Sequence, residues 1–130
     1  MQALLPAIRV TQDIRAGKVP ASLLMRLLFL CSRNQWRSPT AEKVYQNDPR
    51  VEVRSAGVSA SARCRVSENL LRWADRVLVM EHAHKQRLRE QFPELVPDLR
   101  IDVLDIPDDY EFMNPELVTL IRERVEPLLE

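Results

Sequence analysis

Glycine is nearly missing from this sequence: 130 residues contain only Gly17 and Gly57. The GxGxxG turn of dinucleotide-binding folds and the GxxxxGK[ST] loop of phosphate-binding NTPases are therefore excluded by count. Any phosphate site must be built another way. An excess of either charge is also missing, since nineteen Lys+Arg offset nineteen Asp+Glu. Nucleic-acid and anionic-membrane binders draw their affinity from a basic surplus, so neither partner is expected here. Cysteine is scarce. Cys31 and Cys64 are too far apart for a CxxC redox or zinc spacing and too few for the disulfide framework of a small secreted protein, which points to a reducing, cytoplasmic setting. Long apolar runs are absent too: none reaches the roughly 18 residues of a membrane span. The opening MQALLPAIRV is broken by Pro6 and followed by charge, the wrong order for a signal peptide.

What the sequence does hold is a core. Hydrophobic residues make up 45% of it, enough at this length for one globular domain. Strong patterning starts at Met25, so residues 1–24 read as a peripheral N-terminal extension and 25–130 as the domain. Arg26 to Leu30 is an apolar run without alternation, as in a parallel strand covered on both faces. Val51 and Val53 alternate in a second strand that ends at Gly57. Residues 76 to 80 and 101 to 104 give a third and a fourth. Amphipathic segments separate them, one beginning at Ser38-Pro39 as N-cap and N1 proline, one after Ser67, one over His82 to Phe92 and one capped by Asn114. Strands alternating with helices predict an α/β fold, a doubly wound four-stranded parallel sheet with helices on both faces.

In such sheets ligands sit beyond the carboxyl ends of the strands. That rule brings the loop Cys31 to Arg37 and the loop Asp105 to Tyr110 to one edge. A tight strand-to-helix loop turns backbone N–H groups inward, and the helix dipole adds positive charge at the same point. An anion is favoured there, as is the thiolate form of Cys31. Arg37 offers a planar fork for two oxygens of a tetrahedral oxyanion, and Ser38 a hydroxyl for the thiolate.

The stretch CSRNQWRS has a Cys-x5-Arg-Ser form that resembles the low-molecular-weight protein tyrosine phosphatases. PTAEKVY is similar to their first helix, RSAG to the end of their second strand, ADRVLVME to their third, and IPDDY to the loop carrying their general acid. The resemblance implies a phosphatase I-like fold and a metal-free, cofactor-free phosphomonoester hydrolase acting through a cysteinyl phosphate. It implies Cys31 as nucleophile, Arg37 as the clamp on the equatorial oxygens and Asp108 as acid and then base. Backbone groups of Ser32, Arg33, Asn34, Gln35, Trp36 and Arg37 would hold the phosphoryl group, with Ser38 and Ser55 in support and Tyr110 as substrate wall. A monomer acting on a phosphorylated protein or a small aryl phosphate is the expected form.

Several positions depart from that pattern. Ser32 and Arg33 replace a small apolar residue and a glycine, and Trp36 replaces a second cysteine that can protect the nucleophile as a disulfide. The stretch from Gly57 to Val66 is shortened, and Glu111 stands where a second aromatic is usual. Plain structural readings are open as well. Trp36 can pack on the sheet edge, the loop aspartates can be turn formers, and Cys64, His82 and His84 receive no function, the two histidines at i,i+2 making a poor metal pair. Two other functions fit the same fold: arsenate reduction, disfavoured because Cys64 is alone, and a non-catalytic phosphate-binding module, disfavoured by the joint presence of Cys31 and Asp108.

Overall fold

The computed structural model describes residues 24–129; the expectation for residues 1–24 therefore falls, apart from Leu24, outside the described part. Strand β1 runs over Met25–Cys31, helix α1 over Arg37–Tyr45, β2 over Val51–Gly57, α2 over Glu68–Trp73, β3 over Arg76–Val79, α3 over His82–Gln91, β4 over Ile101–Val103 and α4 over Pro115–Leu129. The four strands form one parallel sheet in the order β2-β1-β3-β4. The fold class expected from the pattern is the one observed.

Because side chains alternate along a strand, central β1 feeds two separate cores. Leu27, Phe29 and Cys31 point to one face, where Ala41 and Tyr45 of α1 and Leu117, Ile121 and Val125 of α4 cover them. Leu28 and Leu30 point to the other, against Leu71 of α2 and Leu88 of α3. All four leucine and phenylalanine side chains of β1 from Leu27 to Leu30 are fully buried. Truncating one of them to alanine is a loss of the size that core cavities cost, about 2–5 kcal/mol.

Helix starts follow the sequence with one exception. Ser67 accepts from Leu70 N to cap α2, and Asn114 Oδ1 accepts from Glu116 N and Leu117 N to cap α4. The exception is α1, which begins at Arg37 with Trp36 in the N-cap position and no side-chain cap. Ser38 lies inside the first turn, its hydroxyl turned to buried partners, so the helix starts two residues earlier than the Ser-Pro signature indicated. Beyond β4 the chain keeps contact with β3 through Leu104 N to Val79 O and Ile106 N to Met80 O. Asp105 sits between them at φ 60, a left-handed conformation that aspartate tolerates better than most residues. This kink lets Leu104 and Ile106 both point inward and sends Pro107 and Asp108 over the end of β1. Among the described residues, no helix is long and apolar enough to cross a membrane.

Candidate active site

β1 delivers Cys31, 3% exposed, to the floor of a cleft at the carboxyl edge of the sheet. The loop after it is shaped from outside. Val58 N donates to Cys31 O, Ser59 N to Ser32 O, Arg63 N to Arg33 O and Arg63 Nε to Asn34 O, at 2.9, 2.9, 3.0 and 3.1 Å. In a planar trans peptide the N–H opposes the C=O. With the carbonyls of residues 31 to 34 drawn outward, the N–H groups of Ser32, Arg33, Asn34 and Gln35 turn the other way, into a concave nest suited to an anion. Gly57 is pressed against this loop: a Cβ there would lie 2.5 Å from Ser32 O and 3.0 Å from Asn34 N. Only glycine permits so close an approach.

Beneath the loop runs a buried polar chain. Asn34 has φ 57, and its Nδ2 donates to Ser38 Oγ and to Ser55 Oγ, both at 2.9 Å. Ser55 passes its own proton to Glu42 at 2.6 Å. Ser38 Oγ stands 3.0 Å from Cys31 Sγ and 3.3 Å from Ala56 O. Ser38 accepts from Asn34 and donates to Ala56 O, and a thiolate at Cys31 would be a second acceptor within reach of the same hydroxyl proton. Ser55 and Ser38 thus meet Asn34 and Cys31 in one network.

Arg37 is 2% exposed and held on three sides. Its Nη1 donates to Glu81 Oε2 at 2.5 Å and to Ile106 O at 2.9 Å, and its Nε lies 3.5 Å from Asp108 Oδ1. Nη1 is used by the fold and Nε faces Asp108, so a tetrahedral anion that takes the Nε edge of the fork displaces that carboxylate. A cleft of about 340 Å³ is lined by Cys31, Ser32, Arg33, Gln35, Trp36, Arg37 and Asp108. Asn34 is buried below it and contributes shape. Two expectations change here. Trp36 does not pack on the sheet edge: as the residue before α1 it stands at the rim, 42% exposed. Tyr110, expected as substrate wall, does not border this cleft and is partly buried against the core. A hollow of about 420 Å³ by Lys85, Arg89 and Val96 is larger but holds neither a thiol nor a carboxylate.

Sequence reasoning missed Glu81 and His84. Glu81 is the N-cap of α3, its side chain accepting from His84 N while its own N–H donates to His84 Nδ1 at 3.0 Å. With Nδ1 accepting, the ring proton resides on Nε2 and is donated to Ser32 Oγ, 3.0 Å away. Burial first, then the charge of Arg37, push the pKa of His84 down to about 4, against the weaker pull of Glu81 and Asp108. The ring is neutral at pH 7. The Glu-x-x-His spacing is the one signal that could have been read, as a capping pair.

A pH effect on stability follows. The folded pKa lies below the unfolded value of about 6.5, so the unfolded chain takes up a proton first as pH falls. The stabilisation is complete above about pH 6.5 and is lost between there and about pH 4, by up to about 3 kcal/mol. Urea midpoints measured across that range are expected to fall in the wild type, and to fall less in His84→Asn. Equal slopes in the two proteins would refute this role for the ring.

A thiol at the end of a central strand, inside a nest of amides, with a buried arginine and a carboxylate facing it, is the arrangement of a cysteine-dependent phosphatase. No protein-family model matches the sequence. A protein-arginine-phosphatase of Bacillus subtilis (strain 168) is 30% identical, over 80% of this chain and 97% of its own length. Another, from Geobacillus stearothermophilus, is 33% identical over 53% of this chain; the match spans 63% of that relative's length, less than two thirds. The solved low-molecular-weight protein tyrosine phosphatase of T. tengcongensis aligns with a TM-score of 0.62 at 25% identity, over 81% of this chain and 95% of its own. This chain belongs to the low-molecular-weight protein tyrosine phosphatase family.

Proposed function

We propose that the chain removes the phosphoryl group of a phosphorylated protein through a cysteinyl phosphate, with phosphoarginine as the preferred substrate. The observation that carries the reading is the cleft itself, where Cys31, the loop from Ser32 to Trp36, Arg37 and Asp108 line one hollow. Cys31 sulfur attacks phosphorus while the bond from phosphorus to the leaving nitrogen or oxygen breaks, and Asp108 gives that atom a proton. The nest and Arg37 hold the transferring oxygens. Asp108 then takes a proton from water, the water oxygen bonds to phosphorus, the S–P bond breaks, and thiolate and orthophosphate result. A phosphoryl group on the guanidinium competes with Asp108 for Arg37 and frees the carboxylate to face the leaving atom.

Phosphoarginine is supported by the names of the two relatives and by the rim. Gln35 and Asp108 line it while Tyr110 does not, so the leaving group meets an amide and a carboxylate, partners for the N–H groups of a guanidinium. Phosphotyrosine is the second reading, favoured by Trp36 as an aromatic wall. A reducing, cytoplasmic setting belongs to the proposal and is supported by the unpaired thiols Cys31 and Cys64. The test is orthophosphate release, without added metal, from matched peptides carrying phosphoarginine or phosphotyrosine. A kcat/KM at least about tenfold higher for phosphoarginine is expected. The reverse order assigns phosphotyrosine, and no release from either ends the reading.

A further inference from the structure

Among the described residues only three large apolar side chains are left exposed: Trp36, Phe112 and Met113, at 42%, 50% and 38%. Single exposed hydrophobics need no explanation. The two segments that carry these three meet at one residue. Thr40 Oγ1 donates to Trp36 O at 2.6 Å and accepts from Met113 N at 2.9 Å, so one hydroxyl bolts the segment carrying Phe112 and Met113 to the N-terminus of α1. Met113 has φ 63, a conformation that a non-glycine residue keeps only when its surroundings hold it there.

The patch is continuous with the cleft. Trp36 and Gln35 line the cleft wall, and Gln35 also borders a depression of about 400 Å³ edged by Pro39, Lys43, Arg63 and Phe112. The cleft therefore adjoins, across Gln35, a depression bordered by Phe112, with Trp36 on the cleft side. The charges beside it, Glu42, Lys43 and Arg63, are of both signs, so the surface favours neither an acidic nor a basic segment. Its apolar rings are what discriminates.

We propose that this surface docks the substrate protein's own chain, seating one aromatic or large aliphatic side chain that flanks the phosphorylated residue while the phosphoryl group occupies the nest. The occupant follows from continuity: the cleft and the depression share Gln35, so a protein chain whose modified side chain reaches Cys31 beside Trp36 has an adjoining apolar surface at Phe112 to lie on. This rests on the phosphoprotein reading above. It adds a determinant that small substrates do not feel.

The experiment compares phosphopeptides of equal length whose flanking residues are Leu and Phe or Ser and Asp, beside a small aryl phosphate. The apolar-flanked peptide is expected to show a kcat/KM about tenfold higher or more, the effect of one well-seated apolar group. Phe112→Ser should bring that ratio close to one while leaving turnover of the aryl phosphate within about twofold of wild type. Equal kcat/KM for the two peptides overturns the proposal, as does a preference that survives in the Phe112→Ser, Met113→Ser double variant. A concentration-dependent dimer that Phe112→Ser abolishes, with the peptide ratio unchanged, would instead assign the patch to a second copy of the chain. If the wild type hydrolyses no phosphate compound, the catalytic reading fails by itself. Docking is then read by calorimetry from the affinity ratio of the same two peptides, with the same tenfold expected and a ratio of one overturning it.

Discussion

Cys31→Ser is expected to lower turnover of any phosphate substrate by a factor on the order of 10⁴ or more, the scale on which removal of a nucleophile acts when the rest of the site is kept. The substitution exchanges one small buried atom for another. Serine at this position keeps an oxygen within reach of Ser38 Oγ, now 3.0 Å from the sulfur, and the carbonyls that shape the loop remain bonded to Val58, Ser59 and Arg63. The nest and Arg37 therefore persist. Orthophosphate measured by calorimetry should bind the variant within a fewfold of wild type while hydrolysis stops. Turnover near the wild-type rate would place the nucleophile elsewhere. Loss of phosphate binding along with turnover would mean that the sulfur shapes the cradle, and the mechanism would need a different anchor.

Asp108→Asn is the second large effect, and it depends on the leaving group. Pro107 fixes φ before it, the kink at Asp105 aims the loop across the cleft, and Ile106 O is pinned by Arg37 Nη1 at 2.9 Å. Asp108 is the one carboxylate of this loop among the cleft residues. Its side chain is 58% exposed, so a leaving atom and a water molecule can both reach it. A general acid contributes about 10²–10⁴-fold, so the variant should lose that much on an aryl phosphate with a poor leaving group and far less on one whose phenolate departs unaided. Asp109→Asn, one residue further and outside the lining, should alter rates by less than about threefold. Rates for both variants across aryl phosphates of rising leaving-group pKa decide the matter. A steeper dependence in Asp109→Asn would shift the acid by one residue.

How much of this was legible depended on the range of the interaction. Parallel strands buried on both faces must be apolar throughout, so Arg26 to Leu30 and residues 76 to 80 declare themselves, and with them the sheet edge where Cys31 and Asp108 meet. Asn114 and Ser67 cap through contacts two or three residues away, and local sequence carries that. Ser38 misled because its hydroxyl serves Cys31 and Asn34 instead of the helix end, an instance of a site overriding a local preference. The bond between Ser32 and His84 spans 52 residues, and no periodicity announces it. Glu81 was hidden for the same reason: a charged residue after a strand looks like solvent-facing surface until the fold sets Arg37 against it. Tyr110 is partly buried against the core and away from the cleft lining, because the resemblance fixes its place in the chain whereas core packing decides which way its ring turns.

The carbonyls drawn outward by the segment after Gly57 make the nest rigid before anything enters it, and that rigidity acts on both ends of the reaction. A cast set in advance for the three oxygens of a phosphoryl group accepts three oxygens of orthophosphate in the same way. Orthophosphate is therefore expected to act as a competitive inhibitor, read from the rise of KM with added phosphate. What separates substrate from product is the part of the molecule that the nest never touches. Relief from inhibition must come from the rim, where a protein chain gains contacts that a phosphate ion lacks.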